Sequence, residues 1–101
     1  MLFVVFNIDR SDGAAEIRTQ TRRAHLEFMK SLGGQVKAGG PLFSQDGQSA
    51  FGGMYILEAD SQEQAAKIAA RDPYVQANLF TRQYIQPWKW NTRRPDDVAV
   101  W

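Results

Sequence analysis

The chain has 101 residues with a net charge of +1, enough for one domain around one modest core and without the basic footprint of a nucleic-acid binder. It holds no cysteine and a single histidine, which excludes disulfides, thiolate nucleophiles and a histidine-rich metal site within one chain. At 44% hydrophobic and 23% charged it has an ordinary globular composition, and no apolar run approaches the ~20 residues of a membrane span.

The segment Leu2 to Ile8 is short, rich in Phe and Val, and apolar on both faces, with Phe3 and Val5 on one and Leu2, Val4, Phe6 and Ile8 on the other. It reads as a strand central in its sheet and covered twice. It lacks the basic start and small-residue cleavage site of a signal peptide, so a cytoplasmic location is expected. After the loop DRSDG a helix is predicted from Ile17 to Leu32, stopping at Gly33-Gly34. Its spacing puts Ala14, Ile17, Thr21, Ala24, Phe28 and Leu32 on one apolar stripe. His25 falls at the border of that stripe, with Arg18, Arg22 and Met29 just beyond, and Leu26 points away without an obvious reason. From position alone, the preferred reading of His25 is a partly exposed helix histidine with no role.

Gln35 to Phe43 is a weaker strand whose Gly39, Gly40 and Pro41 belong at a sheet edge. Asp46-Gly47 predicts a hairpin turn into a third strand, Ala50 to Ala59, again apolar on both faces. Ser61 and Gln64 form a capping box for a second helix, whose small stripe Ala65, Ile68 and Ala69 can lie close on a sheet. Asp72 and Pro73 fit the N-cap and first position of another short helix. Thr81 to Pro87 is a more polar edge strand, extended by Trp88 and Trp90. The register of Arg82 and Tyr84 relative to the helices stays open.

The order β-α-β-β-α-β predicts an α+β, ferredoxin-like domain over residues 1–90, with a four-stranded antiparallel sheet and both helices on one face. The first and third strands are then the inner ones, as their two-sided apolarity requires. The bare sheet face predicts a homodimer packed sheet on sheet. The tail, residues 91–101, ends in VAVW and is expected at that interface or folded back over its own sheet.

With these elements placed, residues 1–90 resemble the YciI-like (YCII-related) family of the dimeric α+β barrel group. The matching pieces are Arg22, His25 and Leu26, then Ala38-Gly39-Gly40-Pro41-Leu42, Gly53, Glu58-Ala59 leading to Ser61, Asp72-Pro73-Tyr74, and Ile85-Gln86-Pro87-Trp88. Asn78 stands where that family would carry a glycine. The resemblance implies a dimer and an active-site pair, His25 with Asp72, and so turns the weighing of His25 toward a role. Asp72 keeps its rival explanation as a cap. Both uses are compatible if one oxygen caps and the other accepts from the imidazole.

A carboxylate on one imidazole nitrogen fixes the tautomer and leaves the other nitrogen as a base. No cysteine is present and no GxSxG elbow supports a serine nucleophile, so covalent acyl transfer is disfavoured. The suitable reactions are elimination or isomerisation by proton abstraction beside a carbonyl on a small activated ring. The family group includes muconolactone isomerases and dehydrochlorinases of chlorinated hydroxyquinols, which fit such a base. Arg22, Gly40, Pro41 and Tyr74 are the expected substrate contacts, with Arg22 as readily a solvated residue. Arg18 reads first as a solvated edge. Phe28, Phe43 and Tyr55 are further candidates to line the cleft. No cofactor, metal or membrane is implied, and the partners expected are a second copy and a small-molecule ligand. The alternative is a non-catalytic binding or regulatory module using the same cleft.

Overall fold

The computed structural model describes residues 1–101. The elements are β1 (Leu2–Asp9), α1 (Ala14–Ser31), a 3-10 turn (Gly33–Gln35), β2 (Val36–Phe43), β3 (Ala50–Glu58), α2 (Gln62–Ala70), α3 (Pro73–Gln76) and β4 (Phe80–Trp88). The four strands form one antiparallel sheet in the order β2-β3-β1-β4. This is the ferredoxin-like α+β arrangement, with the two strands apolar on both faces at its centre.

The signals at the element ends act as their chemistry demands. Gly33 takes φ +55 just after α1, and Gly47 takes φ +73 in the hairpin, conformations that cost an L side chain steric energy. Ser61 accepts from the Gln64 N–H at 3.1 Å and starts α2. Asp72 caps α3 with Pro73 at its first turn. Asn78 takes φ +57, so it adopts the left-handed geometry that a glycine would supply.

Phe3 and Val5 of β1 pack with Tyr55 and Leu57 of β3 against Ala65, Ile68 and Ala69 of α2. The small α2 stripe lets that helix lie close to the sheet. The first helix behaves differently: none of its residues is fully buried. Its inward face runs through Ile17, Arg18, Thr21, His25, Phe28 and Met29, and Ala24 is exposed. Ala14, Ile17, Thr21, Phe28 and Leu32 of the expected stripe do face inward, but the centre of the face lies about 30° toward the Arg18 and Met29 side, so His25 sits near its middle and not at its border. A helix that roofs a cleft does not need an apolar centre.

The opposite sheet face carries a second cluster of Leu2, Ile56 and Val98, with Val4, Met54, Trp88 and Trp90 packed around it. Val98 brings part of the tail back over the chain's own sheet. Trp101 Nε1 donates to the Trp88 carbonyl at 3.1 Å. Register places Tyr84 opposite Phe6 and Arg82 opposite Ile8, so both side chains belong to this outer face and not to the cleft. No helix is long and apolar enough to cross a membrane.

Two adjacent glycines of β3 differ sharply in the room around them. A Cβ at Gly52 would stand 2.3 Å from the Asn7 carbonyl oxygen, whereas one at Gly53 meets nothing closer than 3.6 Å. Gly52→Ala therefore forces the inner strands apart, and urea denaturation should record a loss on the order of 1–3 kcal/mol. Gly53→Ala should change stability by less than about 1 kcal/mol in the same measurement.

Candidate functional site

The site is built on the start of α3. Asp72 is 1% exposed, deep enough that its charge needs donors. Its Oδ1 accepts from the Tyr74 N–H at 2.9 Å and from His25 Nδ1 at 2.9 Å. One oxygen thus serves as cap and as imidazole partner, where separate oxygens were expected. Because the capping oxygen points over the first turn of α3, α1 meets that same atom as it crosses. Asp72 Oδ2 and the Tyr55 hydroxyl are buried without hydrogen-bond partners.

Nδ1 is committed to a carboxylate that accepts, so in the neutral ring Nδ1 carries the hydrogen and Nε2 the lone pair. The imidazole lies flat on Tyr74, with ring centroids 4.2 Å apart and planes 18° from parallel. Tyr74 in turn meets the edge of Phe80. The ring of His25 is held at its edge by Asp72 and on one face by Tyr74.

Arg18 is not the solvated residue expected from the sequence. Its Nε and Nη2 grip Asp9 at 2.7 and 2.9 Å, and Nη2 also donates to the Gly52 carbonyl at 2.9 Å. Its guanidinium lies 5.2 Å from the centre of the Tyr74 ring. The sequence hid this because Asp9 ends β1 and Arg18 lies in the second turn of α1, a pairing that needs the loop between them to fold back. Hydrogen bonding and charge from Asp9 hold the guanidinium firmly protonated against its burial.

These residues border one pocket of about 240 Å³ between α1 and the sheet. Its sheet side is paved by Gly39, Gly40 and Pro41 of β2 and by Gly52 and Gly53 of β3. Gly39 and Gly53 share the helix side with Tyr55 and Asn7 and add no side chain to the space, and a Cβ at Gly39 would come within 2.9 Å of Tyr55 Cβ. His25, Arg22 and Tyr74 reach the pocket as expected, with Asp72 directly behind the imidazole. Arg22 is exposed and makes no ion pair. Leu26, unexplained in the sequence, is half-exposed at the pocket wall. Tyr55, a candidate from the sequence, lines the pocket, and Asn7 and Arg18 join it; alternation along β1 puts Asn7 on the helix side but does not announce a cleft there. Phe28 packs against the core and Phe43 is exposed, so neither lines the pocket. No cluster of three or more His, Cys, Asp or Glu side chains could hold a metal ion.

Both tyrosines stay neutral phenols at pH 7. Burial, helped by the charge of Asp72, pushes Tyr55 well above the ordinary tyrosine range. Burial also raises Tyr74, partly offset by the positive charges of Arg18 and Arg22.

Comparison with known proteins agrees with this architecture. Residues 1–89 match the family model for the YCII-related domain. Protein YciI of Escherichia coli O6:H1 is 33% identical over 96 residues, covering 88% of this chain and 97% of that protein. The uncharacterized protein YjpA of Bacillus subtilis is 39% identical over 67 residues, covering 64% of this chain and 72% of its own. Among solved structures, 5-chloro-2-hydroxyhydroquinone dehydrochlorinase (TftG) from Burkholderia phenoliruptrix AC1100, in complex with 2,5-dihydroxybenzoquinone, superposes with a TM-score of 0.78 at 29% identity, covering 88% of this chain and 94% of that one. The chain therefore belongs to the YCII-related (YciI-like) family.

The Tyr55 hydroxyl gives a test of the site's electrostatics. Tyr55 keeps its proton in the folded chain at pH values where the unfolded chain, with a phenol pKa near ~10, has lost it. Its contribution to stability is complete below pH ~10 and falls as the pH rises further. Tyr55→Phe should flatten that alkaline loss in denaturation curves taken between pH 9 and 11. At pH 7 it should cost less than about 1 kcal/mol, since the hydroxyl it deletes makes no hydrogen bond.

Proposed function

We propose that the chain is a small dimeric enzyme in which His25 is the general base and Asp72 orients it, for an elimination or isomerisation of lyase or isomerase type. The observation that carries this reading is the buried Asp72 carboxylate on Nδ1, which leaves Nε2 as the ring nitrogen for the pocket. Nε2 takes a proton from a carbon or hydroxyl of the substrate. The electron pair left behind moves into the ring and either expels a leaving group or reprotonates elsewhere. The imidazolium that forms is stabilised by Asp72.

The pocket's size argues for a single substituted ring. A cavity of about 150 Å³ accommodates benzene, and 240 Å³ leaves room for a few substituents. Arg22, charged and unpaired, suits an anionic substituent, while Gly40, Pro41 and the Tyr74 face suit a flat ring. The dehydrochlorinase of B. phenoliruptrix supports the reading by likeness, since its named substrate is a chlorinated hydroxyquinol of that size.

The outer sheet face supports the dimer. Phe6, Ile8, Leu42 and Met54 are only half-buried there, and Tyr84 is exposed. Sedimentation at micromolar concentration should give twice the 11.4 kDa chain mass.

Chloride release from 5-chloro-2-hydroxyhydroquinone tests the chemistry. His25→Gln should lower kcat/KM by about 10²–10⁴-fold. Asp72→Asn should lower it by less, because the base survives without its fixed tautomer. Wild-type protein that binds 2,5-dihydroxybenzoquinone but releases no chloride would instead favour the non-catalytic binding module.

A further inference from the structure

Asn7 is an unexpected residue for its place. It follows Phe3 and Val5 on the helix side of a central strand, and it is 3% exposed. A buried amide there is costly unless its polar atoms are used. Its Oδ1 is used: it accepts from Gln83 Nε2 at 2.8 Å, across the β1–β4 register pair. Its Nδ2 has two hydrogens and no protein acceptor. That nitrogen is not sealed in the interior either, for the buried polar atoms without partners are the Tyr55 hydroxyl and Asp72 Oδ2. Asn7 borders the pocket, and its β3 register neighbour is Gly53, which has no side chain to cover it.

We propose that Asn7 contacts the substrate directly, its Nδ2 hydrogens donating to the substrate oxygen on which negative charge gathers, and that Gln83 positions it. This rests on the proton abstraction by His25 proposed above. When a base removes a proton from carbon beside a carbonyl, the C–H pair becomes the carbon–carbon π bond and the carbonyl π pair moves onto oxygen, giving an enolate. The pair then returns from oxygen to re-form the carbonyl, and the carbon–carbon π electrons either make a new double bond to the next carbon as chloride leaves it or pass through a conjugated double bond and take a proton at its far end. A neutral donor fixed in advance at that oxygen lowers the barrier to both steps.

The other donors nearby are committed elsewhere. Arg18 commits Nε and Nη2 to Asp9 and the Gly52 carbonyl, and what remains, Nη1, belongs to a group already charged and paired with a carboxylate. Arg22 is exposed and suited to hold a charge already on the substrate. The Tyr55 hydroxyl is closed off from the pocket space. Asn7 is the neutral amide donor that is both buried and open to the pocket.

The test is binding of 2,5-dihydroxybenzoquinone, whose oxygens carry the negative charge, followed by absorbance titration alongside chloride release from 5-chloro-2-hydroxyhydroquinone. Asn7→Asp keeps the shape and replaces the donor with an acceptor; binding should weaken at least about 10-fold and kcat should fall by about 10²–10³-fold. Gln83→Leu releases the amide and should weaken binding only a few-fold. Gln83→Glu accepts from Nδ2 and turns the Asn7 carbonyl toward the pocket, so it should be more damaging than Gln83→Leu, an order that a packing role would not produce. Circular dichroism and thermal melting check that each variant is folded. Asn7→Asp that binds within twofold of wild type, while His25→Gln still abolishes turnover, overturns this inference alone. Wild-type protein that neither binds the quinone nor releases chloride overturns it together with the proposed function.

Discussion

A single carboxylate oxygen joins the two halves of this fold at the site. Asp72 Oδ1 receives the first free N–H of α3 and the imidazole of α1, whose His25 lies 47 positions before Asp72. The cap would exist without the histidine, since an aspartate before a proline starts helices on local grounds. The histidine would not be held without the cap, because the cap fixes the carboxylate's rotamer. A buried charge with two charge-assisted donors is tolerable, and with neither it would be prohibitive. This contact ties the roof of the pocket to the sheet's far crossover, and Tyr74, two residues on, supplies the stacking face.

The remaining walls follow from what β2 and β3 lack. Glycines at positions 39 and 53, on the helix side of β2 and β3, leave a hollow where α1 passes over the sheet. α1 contributes no fully buried residue, and its Phe28 and Met29 pack only partly against the core, so burial holds it less firmly than α2. Further contacts pin it: the Arg18–Asp9 pair at its first turns, His25–Asp72 in its middle and Leu32 at its end. The open space beneath the helix leaves one edge of the half-buried His25 ring facing the pocket.

Much of the architecture was legible because it rests on short-range signals. The Phe and Val runs of β1 and the MYIL stretch of β3 are apolar on both faces whatever their partners, and that alone places them inside the sheet. Ser61, Asp72-Pro73, Gly33 and Gly47 mark ends through local backbone chemistry. The site was partly legible too. His25, Asp72, Arg22, Gly40, Pro41 and Tyr74 were named from the residues and a family resemblance, and all gather at one pocket. The lock on Arg18 and the pocket-facing amide of Asn7 were not legible. The partner of Arg18 lies before a loop, and the exposure of the Asn7 amide depends on a glycine in another strand.

The sequence by itself determined which segments become strands and helices, which two strands lie at the centre, and which histidine was available for proton chemistry, because periodicity, capping and composition are properties of neighbouring residues. The tertiary structure alone decided how α1 is rotated over the sheet, that one oxygen of Asp72 serves two donors, and that Arg18 is locked while Arg22 is free. Those outcomes depend on which distant side chains meet in three dimensions, and hydrogen bonds reaching only about 3 Å make that choice after the chain has closed on itself.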